Sequence, residues 1–192
     1  MRIVSAQYAS TTDADLIRSV ADGRLEALGQ LFDRYHLPMR RFLARMMVAP
    51  ADLDDLVQVT FLQVPRAATH FDPTRSAKAW LLGLAAIVVK RHRRSLSRIA
   101  RRITALAKEP PRLGPPTPAE LVADGEAGRR AQTALAALAP KKREVFVMVV
   151  LEQLSGEEVA QNLGIPVGTV WTRLHHARRE LRERLQGQGC EP

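Results

Sequence analysis

A basic segment near the C-terminus carries side chains that suit recognition of DNA. Hydroxyl, indole, imidazole and guanidinium groups recur on or beside one side of a predicted helix between residues 169 and 179. Arginine pairs bidentately with guanine in the major groove, and threonine contacts a base edge or a thymine methyl group. The predicted DNA-reading residues are Thr169, Trp171, Thr172, Arg173, His176, Arg178 and Arg179. We expect Arg173 or His176 to read bases and Arg179 mainly to bind a phosphate.

Two predicted helices joined by a tight turn position this surface. Ser155 and Glu158 have the spacing of a capping box. Gly164 suits the left-handed end of the first helix, and Pro166 suits the first turn of the second. The second helix turns an apolar face to a core, formed by Val170, Leu174, Ala177 and Leu181. This pattern predicts a helix-turn-helix whose second helix enters the major groove.

No constellation of residues indicates catalysis. A DNA-processing enzyme needs a nucleophile with a base, or clustered carboxylates that hold a metal ion. Tyr8 and Tyr35 lack a nearby basic cluster, and the acids of residues 52–55 lack a further ligand. His175 and His176 diverge around their helix. We therefore expect a protein that is not an enzyme and that uses no metal and no cofactor.

The composition favours a polyanionic partner. The 192 residues include 29 Lys or Arg and 20 Asp or Glu, a formal net charge of +9. The one cysteine, Cys190, cannot form an internal disulfide. The N-terminus lacks the apolar segment of a signal peptide, and the longest apolar run, 79–89, has 11 residues. We expect a soluble protein of the cytoplasm that does not insert into membranes.

A helix predicted to open at Pro50 and Asp52 has an unusual outer face. Leu53, Val57, Thr60, Phe61 and Val64 point to a core, and Pro65 is expected to end the helix. The opposite face combines a carboxylate and an amide with two apolar side chains, in Asp55, Gln58, Val59 and Leu62. Such a surface either binds a protein partner or is covered by another helix of the same domain.

The next predicted helix, from Ser76 to about Arg94, changes character along its length. Its first half is apolar all round, which predicts the buried centre of a bundle. Between Lys90 and Arg102 the chain has seven Lys or Arg and no acid. This basic segment suits a phosphate backbone; a membrane-surface helix and a solvated tail are the alternatives.

A proline-rich stretch divides the chain. Five of the 12 prolines lie within residues 110–118, which predicts an extended linker over residues 104–128. The fold expected is all-α, with a helical domain over residues 13–103 and a helix-turn-helix domain over residues 129–187.

The motifs together resemble those of bacterial RNA polymerase sigma factors of the extracytoplasmic-function (ECF) type. DLDDLVQVTFL is similar to the helix of that family that binds core polymerase, and FDPTRSAKAWLLGLA to its promoter-melting region. Nearly all of residues 134–185 resembles its C-terminal domain, which reads the upstream promoter element. The resemblance implies an alternative sigma factor that binds the polymerase clamp and directs initiation at chosen promoters. A free-standing helix-turn-helix regulator is the alternative.

The resemblance also implies roles for individual residues. Polymerase binding falls on Asp55, Gln58, Val59 and Leu62. Promoter melting and contact with the downstream element fall on Arg75, Lys78, Trp80, Lys90, Arg91 and Arg94. Departures from the family pattern occur at Val59, Pro65, Ala86, Ile87, Arg91, Trp171 and His176. The resemblance further implies core polymerase, promoter DNA and a dedicated anti-sigma factor as partners.

Overall fold

A computed structural model describes residues 11–106 and 125–187, which form two helical bundles. The first bundle contains α1 (Asp13–Ala21), α2 (Leu25–Arg45), α3 (Leu53–Ala68) and α4 (Ala77–Leu106). The second contains α5 (Glu126–Ala136), α6 (Pro140–Phe146), α7 (Gly156–Leu163) and α8 (Val167–Gly187). The described residues form no strand, and none of their helices is long and apolar enough to cross a membrane. The predicted all-α fold with two bundles is confirmed.

Buried leucines and aromatic residues hold the first bundle together. Leu16, Leu31, Phe42 and Leu81 come from three different helices and are fully buried. Because each helix contributes one apolar face, α1, α2 and α3 pack together and partly enclose the start of α4. The residue that caps α1 is Thr12, since its side chain accepts a hydrogen bond from the backbone of Asp15.

Asp13 instead ties α1 to α2. Its carboxylate accepts hydrogen bonds from the Arg34 guanidinium at 2.6 Å and from the Tyr35 hydroxyl at 2.5 Å. Burial and the neighbouring carboxylate raise the pKa of Tyr35, so its hydroxyl stays protonated and keeps donating. The phenol of Tyr35 therefore has a structural role.

The expectation that Pro65 ends α3 was wrong, because the helix continues to Ala68. Proline removes one backbone donor and crowds the preceding turn. Here Val64 and Ala68, on either side of it, are 0% and 5% exposed. Their burial offsets the cost and carries the helix for one more turn. The predicted core residues of α3 are all buried, which confirms the assignment of its two faces.

Helix α4 has 30 residues and is longer than expected. Its first turn is capped by Ser76, whose hydroxyl oxygen accepts a hydrogen bond from the backbone of Ala79 at 3.2 Å. The helix includes the whole basic segment and ends at Leu106, and α5 begins at Glu126. Both ends of the predicted linker are thus helical, while its proline-rich part lies outside the described residues.

The second bundle contains the predicted helix-turn-helix. Ser155 and Glu158 form both hydrogen bonds of a capping box at the start of α7. Gly164 ends the helix with φ 63° in the left-handed region. The predicted core face of α8 is confirmed, since Val170, Leu174, Ala177 and Leu181 are all buried.

A buried arginine closes the end of α5. The Arg143 guanidinium donates hydrogen bonds to the carbonyls of Leu135 at 3.0 Å, Ala136 at 2.6 Å and Leu138 at 2.8 Å. Burial, and secondarily the charge of Arg93, lowers the pKa of Arg143 to about 10, so the group stays charged at neutral pH. Carbonyls at a helix C-terminus have no hydrogen-bond partners within the helix, and Arg143 supplies donors for them.

Arg143→Ala should therefore destabilise the fold by about 3 kcal/mol, because three carbonyls lose a charged donor. Urea unfolding of the full chain followed by circular dichroism measures the change. Arg129→Ala, at an exposed position of α5, is the matched control and should stay within about 0.5 kcal/mol. Equal unfolding midpoints for the two variants would show that Arg143 does not stabilise α5.

Candidate protein-binding and DNA-binding surfaces

The outer face of α3 is exposed. Val59 and Leu62 are 40% and 76% exposed, and Asp55 and Gln58 beside them are also exposed. No described helix covers this face. Of the two interpretations of the sequence, the geometry therefore favours a partner-binding surface, because exposed apolar groups rimmed by polar ones are typical of protein interfaces.

Two of the predicted melting residues lie at or just before the start of α4, and both contact the second bundle. Arg75 donates a hydrogen bond to the Asn162 side chain at 3.0 Å. Lys78 donates to the backbone carbonyl of Glu152 at 2.8 Å and pairs with its carboxylate at 3.2 Å. Sequence reasoning missed Glu152 and Asn162, because no local pattern links residues that lie more than 70 positions apart.

Trp80, the third residue of that set, lies in the core. It is 8% exposed, and its ring packs against Phe71 with ring centroids 5.1 Å apart. In this arrangement its indole is not available to DNA. The structure therefore assigns Trp80 a packing role and leaves Arg75 and Lys78 as the polar groups at this end of α4.

Trp171 lies at the exposed N-terminal part of α8 and packs over Gly156. Its side chain is 48% exposed, yet a Cβ placed at Gly156 would lie 2.4 Å from the indole ring. The absence of a side chain at Gly156 lets the ring lie close against the start of α7. The sequence pattern had given Gly156 no role.

The remaining predicted DNA-reading residues differ in exposure. Thr172, Arg178 and Arg179 are exposed, and Thr169 and His176 are half-buried. Arg179 lies 3.7 Å from Glu183, one turn further along the same face. All of these residues lie on α8 together with Trp171.

Arg173 faces a groove between the two bundles. The groove has a volume of about 1020 Å³, and basic residues of α4 form one of its walls. The basic residues that line it are Lys90, Arg91, Arg93, Arg94, Arg98, Arg101, Lys141 and Arg173. The structure therefore brings Arg173 of the upstream set together with Lys90, Arg91 and Arg94 of the downstream set.

One acidic side chain, Glu144, also lines this groove. Burial raises the pKa of Glu144, and the positive charges of Arg93, Lys90 and Arg173 oppose that shift. Arg93 also donates a hydrogen bond to the backbone carbonyl of Met46, which fixes the basic half of α4 against the end of α2. The lining of the groove thus carries an excess of positive charge, which suits phosphate or carboxylate groups.

Comparisons with known proteins agree with this geometry. Residues 31–99 match the family described as Sigma-70 region 2, and residues 128–181 match Sigma-70, region 4. The chain is 33% identical over 164 residues to the RNA polymerase sigma factor CarQ of Myxococcus xanthus, covering 85% of this chain and 92% of that protein. The chain belongs to the ECF RNA polymerase sigma factors. It is an alternative sigma factor that directs transcription initiation, as the resemblance implied.

Two further relatives span nearly the whole chain. The ECF RNA polymerase sigma factor SigK of Mycobacterium sp. (strain JLS) is 30% identical over 184 residues, covering 91% of this chain and 92% of that protein. The solved structure of CnrH in complex with the cytosolic domain of CnrY has a TM-score of 0.65 and 27% identity, covering 91% of this chain and 97% of that one. Both bundles are therefore part of the similarity.

The packing of Trp171 on Gly156 can be measured in this sigma factor. Gly156→Ala should destabilise the fold by about 1–3 kcal/mol, because the added methyl group displaces the indole. In a Trp171→Ala background the same change should be neutral or stabilising, since alanine suits a helix better than glycine. A double-mutant cycle by urea unfolding measures the difference, and a coupling free energy near zero would mean that the two residues do not interact.

Proposed function

We propose that the first bundle binds core RNA polymerase through α3 and opens promoter DNA with the start of α4, while α8 reads the upstream promoter element. The observation that carries this proposal is the α3 face of Asp55, Gln58, Val59 and Leu62, which is exposed although half of its side chains are apolar. The alternative, a free-standing DNA-binding regulator, does not by itself explain such a face.

The role proposed for each basic residue follows from its position along α4. Arg75 and Lys78 lie where α4 begins, and Lys90, Arg91 and Arg94 follow on the same helix as its basic half. Cations along one helix can follow a phosphate backbone, so α4 would hold the DNA strands beside the melted segment. In this arrangement Trp80 supports the helix from the core.

The protein acts in this proposal as a non-enzymatic subunit in the cytoplasm, where it meets polymerase. A protein regulator that contacts both bundles is also part of the proposal. Its support is the CnrH structure, which holds the cytosolic domain of CnrY and aligns with this chain over both bundles. A clamp on the two bundles would control access to α3 and α8 together.

Asp55→Arg should weaken binding to core polymerase at least about tenfold, since the reversed charge lies within the proposed contact face. Stability should change by less than about 0.5 kcal/mol, because the position is exposed. Pull-down of core polymerase and run-off transcription measure the effect. Asp33→Arg, an exposed acid on α2, is the matched control. If the Asp55 variant bound core normally, α3 would not be the polymerase-binding helix.

His176→Ala and Arg173→Ala should each relax the preference at one promoter position, at a cost of about 1–3 kcal/mol if the residue reads a base. Arg179→Ala should weaken binding to all promoters alike. It should also reduce the salt dependence of that binding by the equivalent of about one phosphate contact. Transcription of a promoter library by each variant at two salt concentrations separates the two roles. If both of these variants kept the wild-type preference for the upstream promoter element, α8 would not be the helix that reads it.

A further inference from the structure

One wall of the groove between the bundles is a row of cations on α4. Lys90, Arg94, Arg98 and Arg101 recur about once per helical turn, so they lie on the same face of the helix. The row is about 16 Å long, because a helix rises about 1.5 Å per residue. Arg173 of α8 lines the groove from the second bundle. The arrangement suits a ligand that carries several negative charges close together.

Most of these cations have no acidic partner within the described part of the chain. The cations of the groove that form no ion pair there are Lys90, Arg94, Arg98 and Arg173. By contrast, Arg179, which does not line the groove, lies 3.7 Å from Glu183 on the same helix. Like charges that share a groove repel one another, so an anionic ligand would stabilise the arrangement.

The groove also has an apolar patch. Ile87, Leu163 and Ile165 line it together with the cations, and Ile87 lies one turn before Lys90 on α4. Ile87 is 39% exposed and is one of the positions at which the chain departs from the family pattern. A ligand made only of phosphate would leave this patch in contact with water, whereas a flat ring would cover it.

Glu144, the one acid among the lining residues, indicates a further property of the ligand. An ionised carboxylate repels phosphate and accepts hydrogen bonds without donating any. It therefore favours a ligand that presents N–H groups at a distance from its phosphates. The amino groups of nucleobases are such donors. Guanine presents a ring N–H and an amino group side by side, which match the two oxygens of a carboxylate.

We propose that this groove is a binding site for a nucleoside polyphosphate. The phosphates would lie along the α4 row and Arg173, and the base would cover Ile87 with its N–H groups toward Glu144. The groove volume of about 1020 Å³ is close to the upper end of small-molecule sites, about 300–1,000 Å³. A site of this size takes a nucleotide more readily than a DNA duplex.

The site goes beyond the function proposed above and does not depend on it, because the ligand binds the free protein. Lys90 and Arg94 would be shared between the nucleotide and promoter DNA. The variants that test the site therefore change Arg98, Arg101, Ile87 and Glu144, none of which is assigned to the promoter.

The test is isothermal titration calorimetry of the full-length protein without magnesium. The probes are GTP, which has a base, and inorganic tripolyphosphate, which has none. Arg98→Ala removes a groove cation. Arg102→Ala is the matched control, because it removes the same charge from an exposed position of α4 outside the groove. Circular dichroism first establishes that each variant keeps its helix content, and Arg101→Ala replaces Arg98→Ala if the latter does not fold.

We expect saturable binding of GTP to one site, at least about tenfold tighter than that of tripolyphosphate. Arg98→Ala should weaken both probes about tenfold, since a charge-assisted contact is lost, and Arg102→Ala less than about twofold. Ile87→Asn should weaken GTP and leave tripolyphosphate unchanged. Glu144→Ala should tighten tripolyphosphate and reduce the preference for GTP, because it removes both a repulsive charge and the acceptor for the base.

Three results would overturn the proposal, and none of them bears on transcription by the protein. Equal weakening by Arg98→Ala and Arg102→Ala would mean that anions bind the basic surface in general. Binding of GTP no tighter than that of tripolyphosphate would mean that the groove does not recognise a base. A short single-stranded DNA oligonucleotide that bound more tightly than GTP, with the same dependence on Arg98, would show that the groove holds DNA.

Discussion

Burial of the first half of α4 is the constraint on which the other features depend. Between Ala79 and Val89 this helix contributes eight buried residues to the core, and its Gly83 allows α7 to approach. Because the helix is fixed in the core at its first half, its basic second half projects in a defined direction and forms a wall of the groove. Arg75 and Lys78 are fixed at its start for the same reason. A change that moved α4 would alter three features together: the core, the contacts of Arg75 and Lys78 with the second bundle, and the basic wall of the groove.

Charge has two roles in this molecule. The net charge of +9 is concentrated on α4 and α8, the two helices proposed to meet DNA. A few acidic side chains inside the fold partly offset this positive charge. Glu152 pairs with both Arg45 and Lys78, and Glu144 lies among the cations of the groove. Lys78, one of the residues proposed to act on promoter DNA, is thus paired with a carboxylate of the second bundle in this structure.

Much of the fold could be predicted from the sequence because the patterns that set it are local. The capping box of Ser155 and Glu158, the left-handed Gly164 and the apolar face of α8 each depend on residues within one or two turns. The two faces of α3 were predicted for the same reason. Pro65 was misjudged, because burial of its neighbours outweighs the lost hydrogen bond.

The contacts between distant segments could not be predicted in this way. Nothing near Glu152 or Asn162 in the chain indicates that they contact the start of α4, and nothing near Arg143 indicates that it closes α5. Arg173 was placed in the predicted DNA-reading set by its position on the helix, but packing puts it in the groove. These outcomes depend on tertiary packing within and between the bundles, which a periodicity does not record.

The most direct test of the account is site-specific photo-crosslinking from α3 in the assembled holoenzyme. A photoreactive amino acid at position 62 should crosslink to a polymerase subunit, because Leu62 is the more exposed of the two apolar residues on the face proposed to bind it. The same amino acid at position 37, where Leu37 on α2 is also exposed, should crosslink much less. Equal crosslinking from the two positions, or none from position 62 in a holoenzyme that transcribes, would contradict the account.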